Sequence, residues 1–189
     1  MQQTFSVLAG AFMIAGFVPY IWKILRKGAK PAKASWVIWT TLDTITIAGM
    51  FTEGTVNGQI IGTIIGAYVT VGLALKFGQP GWTRLDKGCL CGAVLGIVAW
   101  AITANPVAAI ATSCSVIFLG SIPTFVSAWE DPSRESTLAW TLYWLGCMFA
   151  LAAIPHWTLA DALQPITFTV IETTALVILL VRPRMLARV

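Results

Sequence analysis

Seven apolar runs of about twenty residues, at 5–26, 35–52, 57–77, 88–104, 106–129, 137–155 and 159–181, take up most of this chain. Each is long enough to cross the roughly 30 Å hydrocarbon core of a bilayer as a helix. Hydrocarbon holds no water to pair backbone groups, so such a chain must satisfy them internally, and runs of this length select helices over a barrel. Only 11% of the residues are charged, where soluble domains carry about 25%. Seven spans and their connections consume the 189 residues, which excludes a large soluble catalytic module. The expected class is an all-α, multi-pass membrane protein.

The net charge of +4 suggests an anionic partner until the basic residues are placed. With seven spans, the connections after the first, third and fifth helices and the C-terminal tail share one side of the membrane. That side receives all 12 Lys and Arg residues: Lys23, Arg26, Lys27, Lys30, Lys33, Lys76, Arg84, Lys87, Arg134, Arg182, Arg184 and Arg188. Short loops rich in Lys and Arg stay cytoplasmic, so the N-terminus is expected outside and the C-terminus inside, with the cell membrane as the location and no nucleic-acid partner. No basic segment precedes the first run and no small-residue cleavage pattern follows it, so it reads as a retained helix rather than a signal peptide. Cys89, Cys91, Cys114 and Cys147 fall in or beside apolar runs, the setting of packed thiols. Cys89-x-Cys91 is too short for a metal site.

A shift of 104 residues brings Gly16-x-x-Pro19 onto Gly120-x-x-Pro123 and Trp36 onto Trp140. Thr63 and Thr167, Thr70 and Thr174, and Leu75 and Leu179 coincide at the same shift. The run boundaries coincide too, giving three helices, one extra, then three again. Three helices reverse the direction of the chain and the fourth restores it, so the units are parallel repeats: 1–77, a linker helix within 78–104, and 105–189 with a basic tail. Gly16-Phe17-Val18-Pro19-Tyr20 with Ser35-Trp36, and Gly120-Ser121-Ile122-Pro123-Thr124 with Trp140, resemble the paired motifs of the PQ-loop and SWEET superfamily. The family's Pro-Gln is Pro19-Tyr20 and Pro123-Thr124 here, and Trp39 and Tyr143 stand at about the depth where sugar-carrying members have further prolines. The resemblance implies a seven-helix 3+1+3 transporter whose solute site lies near mid-membrane between the repeats. It also implies that Pro19 and Pro123, each lacking the N–H that would pair a carbonyl four residues back, act as hinges for alternating access.

Two acids fall near the centres of their runs, Asp43 in the second and Glu172 in the seventh. Burial of an Asp at the bilayer centre costs about 2.5–3.5 kcal/mol even on lenient scales, so each acid must face a cavity, a partner or a proton. No Lys or Arg lies at their depth; Lys23 and Lys76 sit toward span ends and are expected to snorkel outward. At helical spacing Trp36, Trp39, Asp43, Thr46 and Met50 share one face, and Asp161, Pro165, Phe168, Glu172 and Ala175 another. Aromatic walls around a polar group suit a small solute. The candidate substrate-binding residues are therefore Asp43, Glu172, Trp39, Tyr68, Tyr143, Trp144 and Phe168, with Tyr68, repeat-mate of Glu172, as its cross-repeat partner. Trp22, Trp82, Trp129 and Trp157 suit interfacial anchors, and Asn57 a helix cap.

Glycines at four-residue spacing, Gly58, Gly62 and Gly66 and then Gly88, Gly92 and Gly96, form flat stripes for close helix approach. Packing within the chain is the favoured use, and a homo-oligomer contact the other. A single histidine, His156, no H-E-x-x-H, no glycine-rich phosphate loop and no Ser-His-acid set argue against an enzyme. The seventh run has no lysine for a retinal Schiff base, and no cofactor or metal is expected. The expected activity is passage of a small polar or cationic solute, with proton coupling through Asp43 and Glu172 as one mechanism. The alternative is a receptor or sorting and assembly protein on the same scaffold, as the KDEL receptors resemble SWEETs. An enzyme reporter fused after residue 189 should be active on the cytoplasmic side only; activity outside would reject the seven-span count.

Overall fold

The computed structural model describes residues 1–79, 84, 87, 88, 90, 91, 94, 98, 101, 102 and 105–186. Six continuous helices lie among the described residues: α1 (Gln2–Lys27), α2 (Lys33–Glu53), α3 (Gly58–Phe77), α4 (Pro106–Glu130), α5 (Thr137–Ala153) and α6 (Leu159–Leu186). A single 3-10 turn, Pro132–Arg134, precedes α5, and there is no strand among the described residues. The expected linker helix, with Trp82, Cys89, Gly92 and Gly96, falls largely outside the described residues.

Local chemistry fixes the ends. Gly28 and Gly54 close α1 and α2 in the left-handed region, at φ 72° and 68°, where a side chain is strained and glycine is not. The Asn57, Asn105 and Ser136 side chains accept from the first free N–H groups of α3, α4 and α5, and Pro106 takes the first turn of α4, where a missing N–H does no harm. Asn57 is thus the cap its sequence position suggests, and it also donates to Gln164.

Four of the helices, α1, α3, α4 and α6, are long and apolar enough to cross a membrane. Helix α2 falls short because Asp43 and a run of tryptophans and threonines lower its hydropathy, but Trp36, Trp39, Thr40, Asp43 and Thr46 are all buried in the protein. Helix α5 is apolar and 17 residues long.

Within each half the third helix lies between the other two: α3 packs on α1 and α2, and α6 on α4 and α5. Across the halves the contacts exchange, α1 against α5 and α2 against α4. The same interlocking on both sides is what a shift of 104 residues predicts. The cores meet in one cluster running from Met13 and Phe17 through Trp36, Trp39 and Leu42 to Ile117, Trp140, Tyr143 and Phe168.

The first glycine stripe is an internal seam. A Cβ at Gly58 would lie 2.0 Å from the Ser6 carbonyl oxygen, one at Gly62 2.6 Å from that of Gly10, and one at Gly66 1.9 Å from the Phe17 ring. The α1 and α3 backbones therefore approach as only glycine allows. Gly16 and Gly120, beside the motif prolines, do the same across the halves, the first against Tyr143 and the second against Ile38. Replacing Gly58 by Ala should lower thermal stability in detergent by about 1–3 kcal/mol. Gly72→Ala, which meets nothing within 4 Å, should be neutral or stabilising by about 0.5–1 kcal/mol.

Candidate functional site

Between the halves lies a cavity with about 50 Å³ open to the centres of water molecules, lined by Met13, Phe17, Trp36, Trp39, Asp43, Thr63, Ala67, Ile117, Trp140, Tyr143, Phe168, Ile171 and Glu172. One water needs about 10–15 Å³ on this measure, so a few waters or a small group fit without rearrangement. Four pairs in the lining, Met13 and Ile117, Trp36 and Trp140, Trp39 and Tyr143, and Ala67 and Ile171, are separated by 104 residues in the sequence. The cavity thus lies on the relation between the two halves.

The acids break that symmetry. The mate of Asp43 is Cys147 and that of Glu172 is Tyr68. Asp43 is 2% exposed, and its Oδ1 has no hydrogen-bond partner among the described residues, nor do Glu172 Oε2, Thr63 Oγ1 and the Tyr143 hydroxyl. An unpaired buried polar atom costs about 1–3 kcal/mol. Native cores keep few of them, and here four line a single cavity. No described Lys or Arg lines the cavity.

Aromatic rings line the cavity on the side linked through Tyr20 and Glu135 to Lys23. Phe17, Trp36, Trp39, Trp140 and Tyr143 form a closed circuit with successive centroid separations of 6.0, 5.1, 6.4, 6.0 and 5.0 Å. Edge-on and tilted contacts dominate it, the arrangements favoured by ring quadrupoles. Trp39 Nε1 reaches across the halves to donate to the Ile117 carbonyl and Ser121 Oγ, both at 3.2 Å. Toward the other end runs a chain of amides. Asn57 Nδ2 donates to Gln164 Oε1 at 2.9 Å, Gln164 Nε2 to Gln59 Oε1 at 3.0 Å, and Gln59 Nε2 to Cys147 Sγ at 3.0 Å. A second pocket with a more polar lining that includes Gln3, Ser6, Asn57, Asp161 and Pro165 lies beyond it.

Of the seven candidates, Asp43, Glu172, Trp39, Tyr143 and Phe168 meet at the cavity, and two do not. Tyr68 is 53% exposed, and its hydroxyl pairs with Thr44 at 2.9 Å. It follows Ala67, the residue that faces the cavity, and one step along a helix turns a side chain about 100° away. Tyr68 is therefore not the partner of Glu172. Trp144, one step beyond Tyr143, likewise turns outward and donates to Thr173 Oγ1 at 3.0 Å. Lys23 does not simply snorkel, since its Nζ donates to the Glu135 carbonyl. Trp22, Trp129 and Trp157 are 51%, 44% and 71% exposed, as interfacial rings would be; Trp129 also lies beneath the Arg182 guanidinium at 4.9 Å. Asp161 caps α6 with Thr158, whose hydroxyl donates to it at 2.7 Å, and stays outside the cavity.

Sequence reasoning missed Thr63, the Gln59–Gln164 pair and Glu135. Glutamines inside apolar runs carry the same signal as acids there, a polar group that lipid cannot satisfy, and that signal extends to Gln59 and Gln164. Among the described residues no cluster of His, Cys, Asp and Glu is arranged to hold a metal. No known protein family, curated protein or solved structure matches this chain. If the acids are kept for function rather than for folding, Asp43→Asn and Glu172→Gln should each leave thermal stability unchanged or raise it by up to about 2 kcal/mol. A loss of several kcal/mol would make them structural.

Proposed function

We propose that this chain is a divergent member of the PQ-loop and SWEET superfamily that carries a small polar or cationic solute across the cell membrane by alternating access. In this reading seven helices form two parallel three-helix repeats joined by a linker helix, with the N-terminus outside and the C-terminus cytoplasmic. Helices α2 and α5 span the bilayer with the other four because their polar faces are turned onto each other's half.

The observation that carries the proposal is the position of Asp43 and Glu172, one from each half, on a shared cavity, each with an oxygen that no described residue satisfies. Carboxylates repel anions and attract cations and hydrogen-bond donors, and the aromatic circuit offers π faces to a cation or a planar solute. Rocking of the halves exposes the cavity to one side at a time, and a proton or the solute itself neutralises the acids during the crossing. Pro19 lies inside α1 and Pro123 inside α4, each three residues from a glycine against which the opposite half packs, where a bend would move one half relative to the other.

Proteoliposomes offered labelled amines, amino acids, sugars and vitamins, with the internal pH recorded, test the reading. A polar or cationic solute should accumulate. Asp43→Asn and Glu172→Gln should each reduce uptake at least about tenfold, the equivalent of one charge-assisted hydrogen bond. Pro19→Ala and Pro123→Ala should slow uptake without weakening solute binding. Normal uptake and an unchanged pH response in both acid variants would overturn the proposal.

A further inference from the structure

Glu135 lies outside the apolar runs, in the connection leading into α5, yet it is 1% exposed. Its Oε2 accepts from Trp140 Nε1 at 2.9 Å and its Oε1 from the Tyr20 hydroxyl at 3.3 Å, while that hydroxyl accepts from Trp36 Nε1 at 3.3 Å. Lys23 Nζ donates to the Glu135 carbonyl. Trp36 and Trp140 are repeat-mates, and both belong to the aromatic circuit over the cavity. One carboxylate thus holds both rings, the first through Tyr20 and the second directly, and ties α1 and α2 of one half to α5 of the other.

We propose that Glu135 is the clasp of the gate at the basic end: while it binds Tyr20 and Trp140 the aromatic circuit is closed, and when it is released to water the two tryptophans part and the cavity opens to that side. The inference rests on the transport reading of the cavity. The two ends are chemically unlike. The chain of contacts toward the opposite end runs through the neutral side chains of Asn57, Gln164, Gln59 and Cys147, so of these two sets of described contacts it is the basic-end one that turns on an acid.

That difference gives the gate a pH response of defined sign. Burial pushes the Glu135 carboxyl up to about 7, against the pull of its bonds to Trp140 and Tyr20 and of the Lys23 charge. The other groups that act on it are Tyr20 and Lys23 from α1, Tyr143 from α5 and Glu172 from α6; Asp131 and Arg134 pair with each other in the adjoining turn. Once open to water the carboxyl returns toward about 4.3. The closed form therefore holds its proton more tightly. Acid on this face favours closure, and closure is lost as pH rises through about 7.

The experiment places a reporter thiol in the cavity, Thr63→Cys, in a full-length chain whose native cysteines are replaced (Cys89→Ser, Cys91→Ser, Cys114→Ala and Cys147→Ser, the last keeping an acceptor for Gln59). Labelling by a membrane-impermeant maleimide is followed from each face of proteoliposomes. Glu135→Ala should speed labelling from the basic-end face roughly tenfold or more, as expected for loss of two bonds to a carboxylate, and leave the opposite face unchanged. Between about pH 5 and about pH 7 labelling from the basic-end face, taken relative to Glu135→Gln at the same pH to remove the ordinary rise in thiolate, should increase in the parent. Glu135→Gln, neutral and still able to bond both Trp140 and Tyr20, should stay closed throughout. Equal labelling of parent and Glu135→Ala, an equal rise from both faces, or a parental pH response in Glu135→Gln would overturn the proposal. Because labelling needs no solute, this pattern can hold even where every uptake assay fails, and the clasp is then separated from the transport reading.

Discussion

A lipid-facing surface gives a hydrogen-bonding group nothing to bond to, and that constraint orders the polar residues described within the helices. Thr41, Thr44, Thr52, Ser115, Thr141 and Thr174, on exposed faces, turn their hydroxyls back onto the carbonyl four residues earlier, and so hide them within their own helix. Asp43, Glu172, Gln59, Gln164 and the indole N–H groups of Trp36, Trp39 and Trp140, which cannot be hidden locally, gather between the halves. The centre of the molecule is therefore polar and aromatic because its outside must be apolar.

Within that centre the chemistry is layered. An acid clasp outside the spans holds an aromatic circuit; the circuit lines a small cavity with two acids; a chain of amides lies toward the other end. The layers draw on both halves through contacts that exchange partners, α1 with α5 and α2 with α4, so movement of one half against the other disturbs all of them together. Glycine makes such a joint possible. In the α1–α3 seam Gly58 and Gly62 meet backbone, whereas Gly16 and Gly120 first meet side chains, Tyr143 and Ile38.

The architecture was largely legible. Apolar run lengths located the six described helices to within a few residues at nearly every end, and the C-terminal helix runs on to Leu186 because Arg182 finds partners in Trp129 where charge alone predicted an end. Burial faces of α2 and α6 followed from helical spacing, which is why Asp43, Trp39, Glu172 and Phe168 were found together. The reading failed at Tyr68, placed by the repeat shift from Glu172, and at Trp144, placed by its depth in the run, because the helix turns each one step past the cavity-facing residue. It was silent on Glu135, one of three acids beside Arg134 in a polar connection, which reads as solvated until the fold brings Tyr20 and Trp140, 115 and 5 residues away in the chain, onto its two oxygens.

The account stands on Asp43 and Glu172 looking into one chamber from opposite halves. Cysteines at both positions, treated in native membranes with a short homobifunctional thiol reagent, measure this directly. The account expects an intramolecular bridge that forms readily and survives dilution of the protein. Efficient modification of each thiol by a lipid-soluble reagent with no bridge between them would place the two side chains on separate surfaces and contradict it.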